Sequence, residues 1–437
     1  MNENNKPIRD ARQLGIPKML LLGLQHMFAM FGATILVPIL VNVYFEGEGL
    51  SIQVTLICAG LGTLFFHLCT KLKVPAFLGS SFAFLGGFET VANMNTGIFK
   101  DMSMGDKLPY ACGGIVVAGA LYLVLALIMK LVGIKRAMRF LPPVVTGPII
   151  ICIGLGLASS AVTNASTNWF LAIIAFAIIV IFNIWGKGMF KIIPILLGVG
   201  GAYAVALILH ACGITNPDGS AIFDFASVAS ASWIDVPPFE LCKFDLTAIL
   251  AMAPIAIASM MEHIGDISAI SATVGENYVE DPGLHRTLIG DGLATSLSAL
   301  VGGPANTTYG ENTGVLELSR VHDPRVIRLA AIYAVVLSFI PKFSAIIGSM
   351  PTAIVGGVSF ILYGMISAIG VRNVVENKVD FTQSRNLIIA ATILVCGLGF
   401  TNGITFEIAG ASITLTGLAI AAIMGILLNA ILPGKEK

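Results

Sequence analysis

The sequence predicts an all-α polytopic membrane protein with fourteen transmembrane segments arranged as a 7+7 inverted repeat. Three observations lead there. Hydrophobic residues make up 56% of the 437 and charged residues only 11%, where a soluble domain carries about 25% charged. Mean hydropathy is +0.89, and apolar runs near the ~20 residues needed to cross a bilayer recur along the whole chain. The basic residues also fall on alternate sides of those runs.

In order, the runs cover 19–44, 50–70, 75–92, 108–131, 140–159, 167–185, 190–212, 245–270, 285–302, 308–320, 326–348, 351–371, 384–400 and 410–432. The polar residues 1–18 read as a cytoplasmic N-terminus rather than a cleavable signal. Residues 213–244 read as one long extracellular loop. Letting each run cross once from that start puts 21 of the 25 Lys and Arg on the cytoplasmic side, with only Lys100, Lys107, Lys243 and Lys342 outside. That asymmetry obeys the positive-inside rule and places both termini in the cytoplasm. The acidic stretch Glu276–Arg286 fits least well, and acidic residues contribute little to orientation.

Seven plus seven spans is an odd half, which inverts on duplication. Inverted repeats place their substrate near the midplane, between discontinuous helices at matching positions. The third span of each half is the interrupted one. Span 3 opens on Val74-Pro-Ala-Phe-Leu-Gly-Ser-Ser-Phe-Ala-Phe84, and span 10 on Gly302-Gly-Pro-Ala-Asn-Thr-Thr-Tyr-Gly-Glu-Asn-Thr-Gly314. Each reads as a few extended residues leading into a half-helix, whose free N–H groups and positive dipole end point into the protein. Irregular backbone at that depth is tolerated only when buried or lining a cavity.

Five carboxylates, Glu262, Asp266, Asp291, Glu311 and Glu317, lie in these membrane-buried stretches. An ionisable group at bilayer depth costs at least ~2.5–3.5 kcal/mol and usually faces a pathway. Glu262 and Asp266 are one turn apart on one helical face, where two like charges repel unless one carries a proton. Asp291 is divided between helix packing and proton coupling, and Glu317 reads as an edge residue. Gln25 and His26 read as hydrogen-bonding partners of backbone. Two half-helix ends offer donors to carbonyl oxygens, while Glu262 and Glu311 offer acceptors to ring N–H groups. A small planar lactam such as a nucleobase matches that set.

Other classes fit less well. An enzyme needs a nucleophile with a base, or metal ligands, and the sequence offers neither set. A channel arranges carboxylates in rings suited to ions, whereas here two asymmetric Glu sites stand beside an aromatic. Saturable uptake at micromolar substrate separates a carrier from a channel, and an unaltered base separates it from an enzyme. The seven cysteines have no paired spacing and read as small apolar filler; Cys212 and Cys242, flanking the long loop, are the pair that could meet.

The chain resembles the nucleobase–ascorbate transporter (nucleobase cation symporter-2) family, in its uracil-permease branch. The likeness runs from about Leu24 to Leu428 and rests on motifs in matching order: Gln25-His-Met-Phe-Ala-Met-Phe-Gly-Ala33, Leu78-Gly-Ser-Ser-Phe-Ala-Phe84, Glu262-His-Ile-Gly265, Asp281-Pro-Gly-Leu-His285, Asn306-Thr-Thr-Tyr-Gly-Glu-Asn-Thr-Gly314, and Gly356-Gly-Val-Ser359 with Tyr363. The resemblance implies a core domain from spans 1–4 and 8–11 (19–132 and 245–348) and a gate domain from spans 5–7 and 12–14 (133–212 and 349–432). It also implies short antiparallel strands in spans 3 and 10, and alternating-access, proton-coupled uptake of uracil. It further implies a homodimer in a bacterial cytoplasmic membrane, with no cofactor beyond the coupling proton and no nucleic-acid partner.

Carried over by position, Glu262 and Glu311 would hold the base, and the backbone of Phe82 and Gly310 would donate to it. The Phe82 ring would stack, and Ala33, Tyr309 and Tyr363 would line the pocket. Asp266, Glu262 and Asp291 would be the proton-coupling candidates. Glu311 at the head of Glu311-Asn-Thr-Gly314 is the uracil-type residue, where xanthine and urate carriers usually have Gln. The later Thr of that signature is Ser319 here. Asp266 departs further, since uracil-type members often have His there and purine-type members Asp. Asp291 also resembles the purine side, so a xanthine- or purine-type nucleobase:proton symporter stays open as the alternative.

Overall fold

The computed structural model describes residues 7–133, 136, 142–401, 403–408 and 411–433. Lys6, Lys135, Arg139, Lys435 and Lys437 of the charge pattern, and residues 140 and 141 of the fifth span, lie outside them.

The chain is mainly helical. Helices α1 (Ile16–Tyr44), α2 (Ile52–Cys69), α3 (Leu85–Ala92) and α4 (Met104–Val132) come first. Then follow α5 (Pro143–Gly156), α6 (Ala158–Ser166), α7 (Trp169–Trp185) and α8 (Pro194–Ala211). Beyond the long loop come α9 (Leu246–Met252), α10 (Ile255–Val274), α11 (Leu284–Leu300), α12 (Gly310–Ser319), α13 (Pro324–Ser338) and α14 (Pro341–Gly348). The chain closes with α15 (Thr352–Glu376), α16 (Ser384–Gly399) and α17 (Gly417–Ile431). Among the described residues, seven helical stretches are long and apolar enough to cross a membrane, eight if the bent pair α13–α14 counts as one span. Four shorter apolar helices, including α3 with its lead-in turn, accompany them.

Two helix groups pack mostly within themselves. In one, α11 lies against α4 and α2, and α13 against α2 and α1. In the other, α15 lies against α5, α6 and α7, while α16 lies against α17 and α5. Thinner contacts, of α9 with residues 411–415 and of α1 and α10 with α8, α5 and α15, join the two.

At the centre of the first group, strands β1 (Leu78–Ser80) and β2 (Asn306–Thr308) pair antiparallel, with Leu78 opposite Thr308 and Ser80 opposite Asn306. Both fall in the breaks of spans 3 and 10. All six residues are buried, so every backbone polar group there needs a protein partner. The ladder extends one residue each way, through Ser81 N–H to the Ala305 carbonyl (2.9 Å) and Tyr309 N–H to the Phe77 carbonyl (2.9 Å). The outward-facing groups go to threonine hydroxyls. Thr63 of α2 accepts from Leu78 N–H (2.9 Å) and donates to its carbonyl (3.1 Å). Thr295 of α11 treats Asn306 the same way, at 3.2 and 2.9 Å. His67 Nε2 donates to the Ala76 carbonyl (2.9 Å), which makes this span-end histidine a tether for the strand's lead-in.

The structure departs from the hydropathy reading in three places. The run 326–348 divides into α13 and α14, bent by 87°, because Pro341 has no N–H to continue the helix. The run 410–432 begins with a strand: β3 (Ile404–Ile408) and β4 (Ala411–Leu415) form a hairpin ahead of α17. That hairpin adds a second sheet to an otherwise helical chain. The eighth span is interrupted between α9 and α10 at Ala253-Pro254. All seven cysteines, Cys212 and Cys242 included, are free thiols.

The N-terminal segment is stitched to the α12–α13 junction. Ile8 bonds to Arg320 and His322 through its backbone (2.8 Å each), and Ala11 N–H donates to Asp323 (2.7 Å). Asp10 bonds to Arg12 and Arg325; the Arg12 hydrogen bond holds its carboxyl down at about 2.

Gly79 sets the tightest contact at the strand crossing. A Cβ there would lie 2.3 Å from Cζ of Tyr309. Gly79→Ala is therefore expected to lose about 1–3 kcal/mol by overpacking, read as a lower Tm of the purified protein. In a Tyr309→Ala background the same change should cost less, because the ring it would meet is gone. An unchanged Tm in Gly79→Ala would show that the ring can move aside.

Candidate functional site

The break in each interrupted span leads directly into a short helix whose first turn no side chain caps. The orphan N–H groups of those turns stay open to a ligand. Glu311 sits in the first turn of α12, where a carboxylate is favoured by the helix dipole. Helix α10 passes alongside α12 and brings Glu262 and Asp266 to it. All three carboxylates are half-buried, as a water-accessible site inside a bundle requires. They lie within electrostatic range of one another and of Asp291.

Asp266 is placed more closely than its spacing suggested. Its Oδ1 lies 3.6 Å from where a Cβ on Gly310 would stand, so the carboxylate sits at the mouth of α12. Arg372, on α15 of the other helix group, reaches it electrostatically. Phe82 is half-buried at the first break. Ala33 and Tyr363 are buried in α1 and α15, 1% and 2% exposed.

Tyr309 is 3% exposed, between the second break and the two glutamates. Its hydroxyl donates to the Ser80 carbonyl (2.8 Å) and receives a hydrogen bond from Thr34 (3.3 Å). The hydroxyl fastens β1 to α1. His26 and Asn312 meet behind α12, with the Asn312 amide donating to the His26 carbonyl (3.1 Å). Glu317 is exposed near the far end of α12.

Asp291 meets His263. Oδ2 lies 3.1 Å from His263 Nδ1, and both side chains are fully buried. The same nitrogen lies 2.8 Å from Thr308 Oγ1 of β2. One imidazole thus links α10, α11 and the strand that precedes α12. Sequence reasoning quoted His263 in a motif and gave it no role; its signal was its place next to Glu262, about 100° round the helix and fully buried.

Glu89 was also missed, although it lies inside the span drawn over 75–92. It lines a cleft of about 740 Å³ between α3, α9 and α10 on one side and α5, α16 and α17 on the other. The cleft reaches Ala83, next to Phe82, at its inner end. No group of three or more His, Cys, Asp or Glu suited to a metal ion occurs among the described residues.

A profile of the permease family named for xanthine and uracil carriers (Xan_ur_permease, "Permease family") matches residues 17–406. The chain belongs to that family. The permease is 41% identical to a uracil permease of Bacillus caldolyticus, covering 99% of this chain and 96% of that one. It is 42% identical to a uracil permease of Bacillus subtilis (strain 168), over 95% and 92% of the two chains. The transmembrane domain of a cyanobacterium bicarbonate transporter, BicA, superposes with a TM-score of 0.60 over 95% of this chain and 99% of that one; at 14% identity the likeness speaks for the fold alone. The permease is a helical, multi-pass membrane transporter and not an enzyme.

The acid–imidazole pair carries a prediction for the permease. Removing one partner of a buried pair costs about 3–5 kcal/mol, because the other charge is left uncompensated. His263→Ala should lower Tm accordingly, and His263→Ala with Asp291→Asn should recover much of the loss. Strictly additive losses in that double-mutant cycle would mean that the two side chains do not interact.

Proposed function

We propose that the permease imports uracil with a proton by alternating access across a bacterial cytoplasmic membrane, with both termini in the cytoplasm. The observation that carries the substrate is the near-full-length likeness to relatives named uracil permeases, and the donor and acceptor pattern of the site agrees with it. In this reading the ring N–H groups of uracil donate to Glu262 and Glu311, while its carbonyls accept from the backbone of Phe82 and Gly310. The Phe82 ring stacks on the base, with Ala33 and Tyr363 behind it. Tyr309 lines the pocket while its hydroxyl holds the strand crossing.

Fourteen spans in a 7+7 inverted repeat, a core of spans 1–4 and 8–11 and a gate of spans 5–7 and 12–14 complete the reading, with a homodimer as the assembly. The packing of the helices into two groups supports that division. So does the matching threonine contact on each strand, from span 2 on one side and span 9 on the other.

Asp266 supplies the coupling step. Ionised, it competes with a substrate carbonyl for the N–H groups at the mouth of α12. Protonated, it releases them, so binding of the base and of the proton favour each other. Movement of the gate then carries Arg372 toward or away from this carboxylate and changes which form is stable. Glu262 and Asp291 are the next candidates for the proton. Asp266 and Asp291 also keep a second reading alive, in which the substrate is xanthine or another purine base.

Saturable uptake of labelled uracil into cells or proteoliposomes tests the reading, with a panel of pyrimidines and purines as competitors. Glu311→Gln is expected to weaken uracil binding by about 1–3 kcal/mol, since the amide sets a donor against a donor, and to gain weak xanthine recognition. Unchanged uracil affinity would remove Glu311 from the pocket. Asp266→Asn should still bind uracil and sustain counterflow exchange, while losing accumulation driven by a pH gradient. Uphill concentration by that variant would move the coupling proton to Glu262 or Asp291.

A further inference from the structure

The 740 Å³ cleft is far larger than one pyrimidine ring and is lined almost wholly by uncharged residues. Among the described lining residues Glu89 is the single carboxylate, and no Lys, Arg or His stands with it. A carboxylate in a half-buried, neutral setting is costly unless something compensates it, yet among the described residues Glu89 has no ion-pair partner. The phenols of Tyr44 and Tyr363 lie within its electrostatic reach, the latter a residue assigned above to the substrate pocket. The neighbouring Thr90 hydroxyl is already committed to the Gly86 carbonyl (2.7 Å).

Position along the half-helix adds a direction. Phe82, Gly86, Glu89 and Asn93 are spaced four, three and four residues apart, which puts them on one helical face. That face carries the candidate stacking ring at its inner end and the carboxylate two turns farther out. Between them Gly86 leaves the way open: a Cβ there would meet only Leu157 Cδ2, at 4.0 Å. The cleft is lined by Ala83, Gly86, Glu89 and Asn93 in succession, so a solute moving inward passes the carboxylate before it reaches the ring.

We propose that Glu89 forms an access subsite for the same class of solute, a cyclic lactam with ring N–H groups. The carboxylate accepts one N–H before the base moves on to Phe82, Glu262 and Glu311. This inference rests on the uptake function proposed above. It adds a residue that sets the rate of capture without taking part in the deep site.

The test uses the full-length protein in proteoliposomes for initial rates of [14C]uracil uptake, and the purified protein for equilibrium uracil binding. Glu89→Met removes both the charge and the acceptor. It is expected to lower Vmax/KM about tenfold, the weight of one hydrogen bond to a charged group, with the equilibrium Kd changed less than about twofold. Glu89→Gln keeps a carbonyl acceptor and should fall between Met and wild type, with a wild-type pH profile.

Wild-type Vmax/KM in Glu89→Met would overturn the subsite. A Gln variant as impaired as Met, with an altered pH profile, would overturn it in favour of a proton-collecting role. Loss of equilibrium affinity in step with uptake would overturn it by placing Glu89 in the deep site or the scaffold. Failure of the wild-type protein to take up uracil or any competing base would instead remove the transport reading on which the inference stands.

Discussion

The buried crossing of β1 and β2 depends on how its backbone is satisfied. Each strand has one partner strand and, on its other edge, a hydroxyl that both donates and accepts. Thr63 serves Leu78 and Thr295 serves Asn306. A two-stranded ribbon in water is marginal, and in a bilayer its open edges would be untenable. Two threonines, with Ser80, Tyr309 and His67 in support, turn the ribbon into a fixed point. Both half-helices then project from it with their first turns uncapped.

That fixed point explains why the site's chemistry is borne by so few side chains. In the proposed site the donors are backbone groups whose positions are set by the ribbon, and the acceptors are carboxylates on α10 and α12. The His263–Asp291 pair ties α10 and α11 to β2 through Thr308, so the wall that presents Glu262 is braced against the ribbon as well.

The features legible in the sequence are those that depend on a residue and its near neighbours. Hydropathy marked the apolar runs, and the Gly and Pro residues around Leu78–Ser80 and Asn306–Thr308 marked the two breaks. Glu262, Asp266 and Glu311 stood out because charge is rare at such depth. Features that depend on distant partners were hidden. The hydrogen bonds of the Tyr309 hydroxyl to Ser80 and Thr34 have no signature in the sequence, and His263 reads as filler until Asp291 comes within reach. The bend between α13 and α14 and the β3–β4 hairpin were masked by continuous apolar composition, which measures affinity for lipid and not backbone direction. Glu89 stayed hidden because its meaning comes from a cleft formed by helices from both groups.

The ribbon also bears on how the chain is made. Ser80 and Tyr309 are 229 residues apart, so β1 emerges from the ribosome long before β2 exists. Until then Leu78–Ser80 has only Thr63 and its neighbours to satisfy it, inside a membrane that offers no water. The first half must therefore hold that segment near the interface, or in the shelter of the insertion machinery, until the second half arrives. Biogenesis of this fold is in that sense a single event: cutting the chain between its halves would leave each fragment with an unfinished edge that lipid cannot solvate.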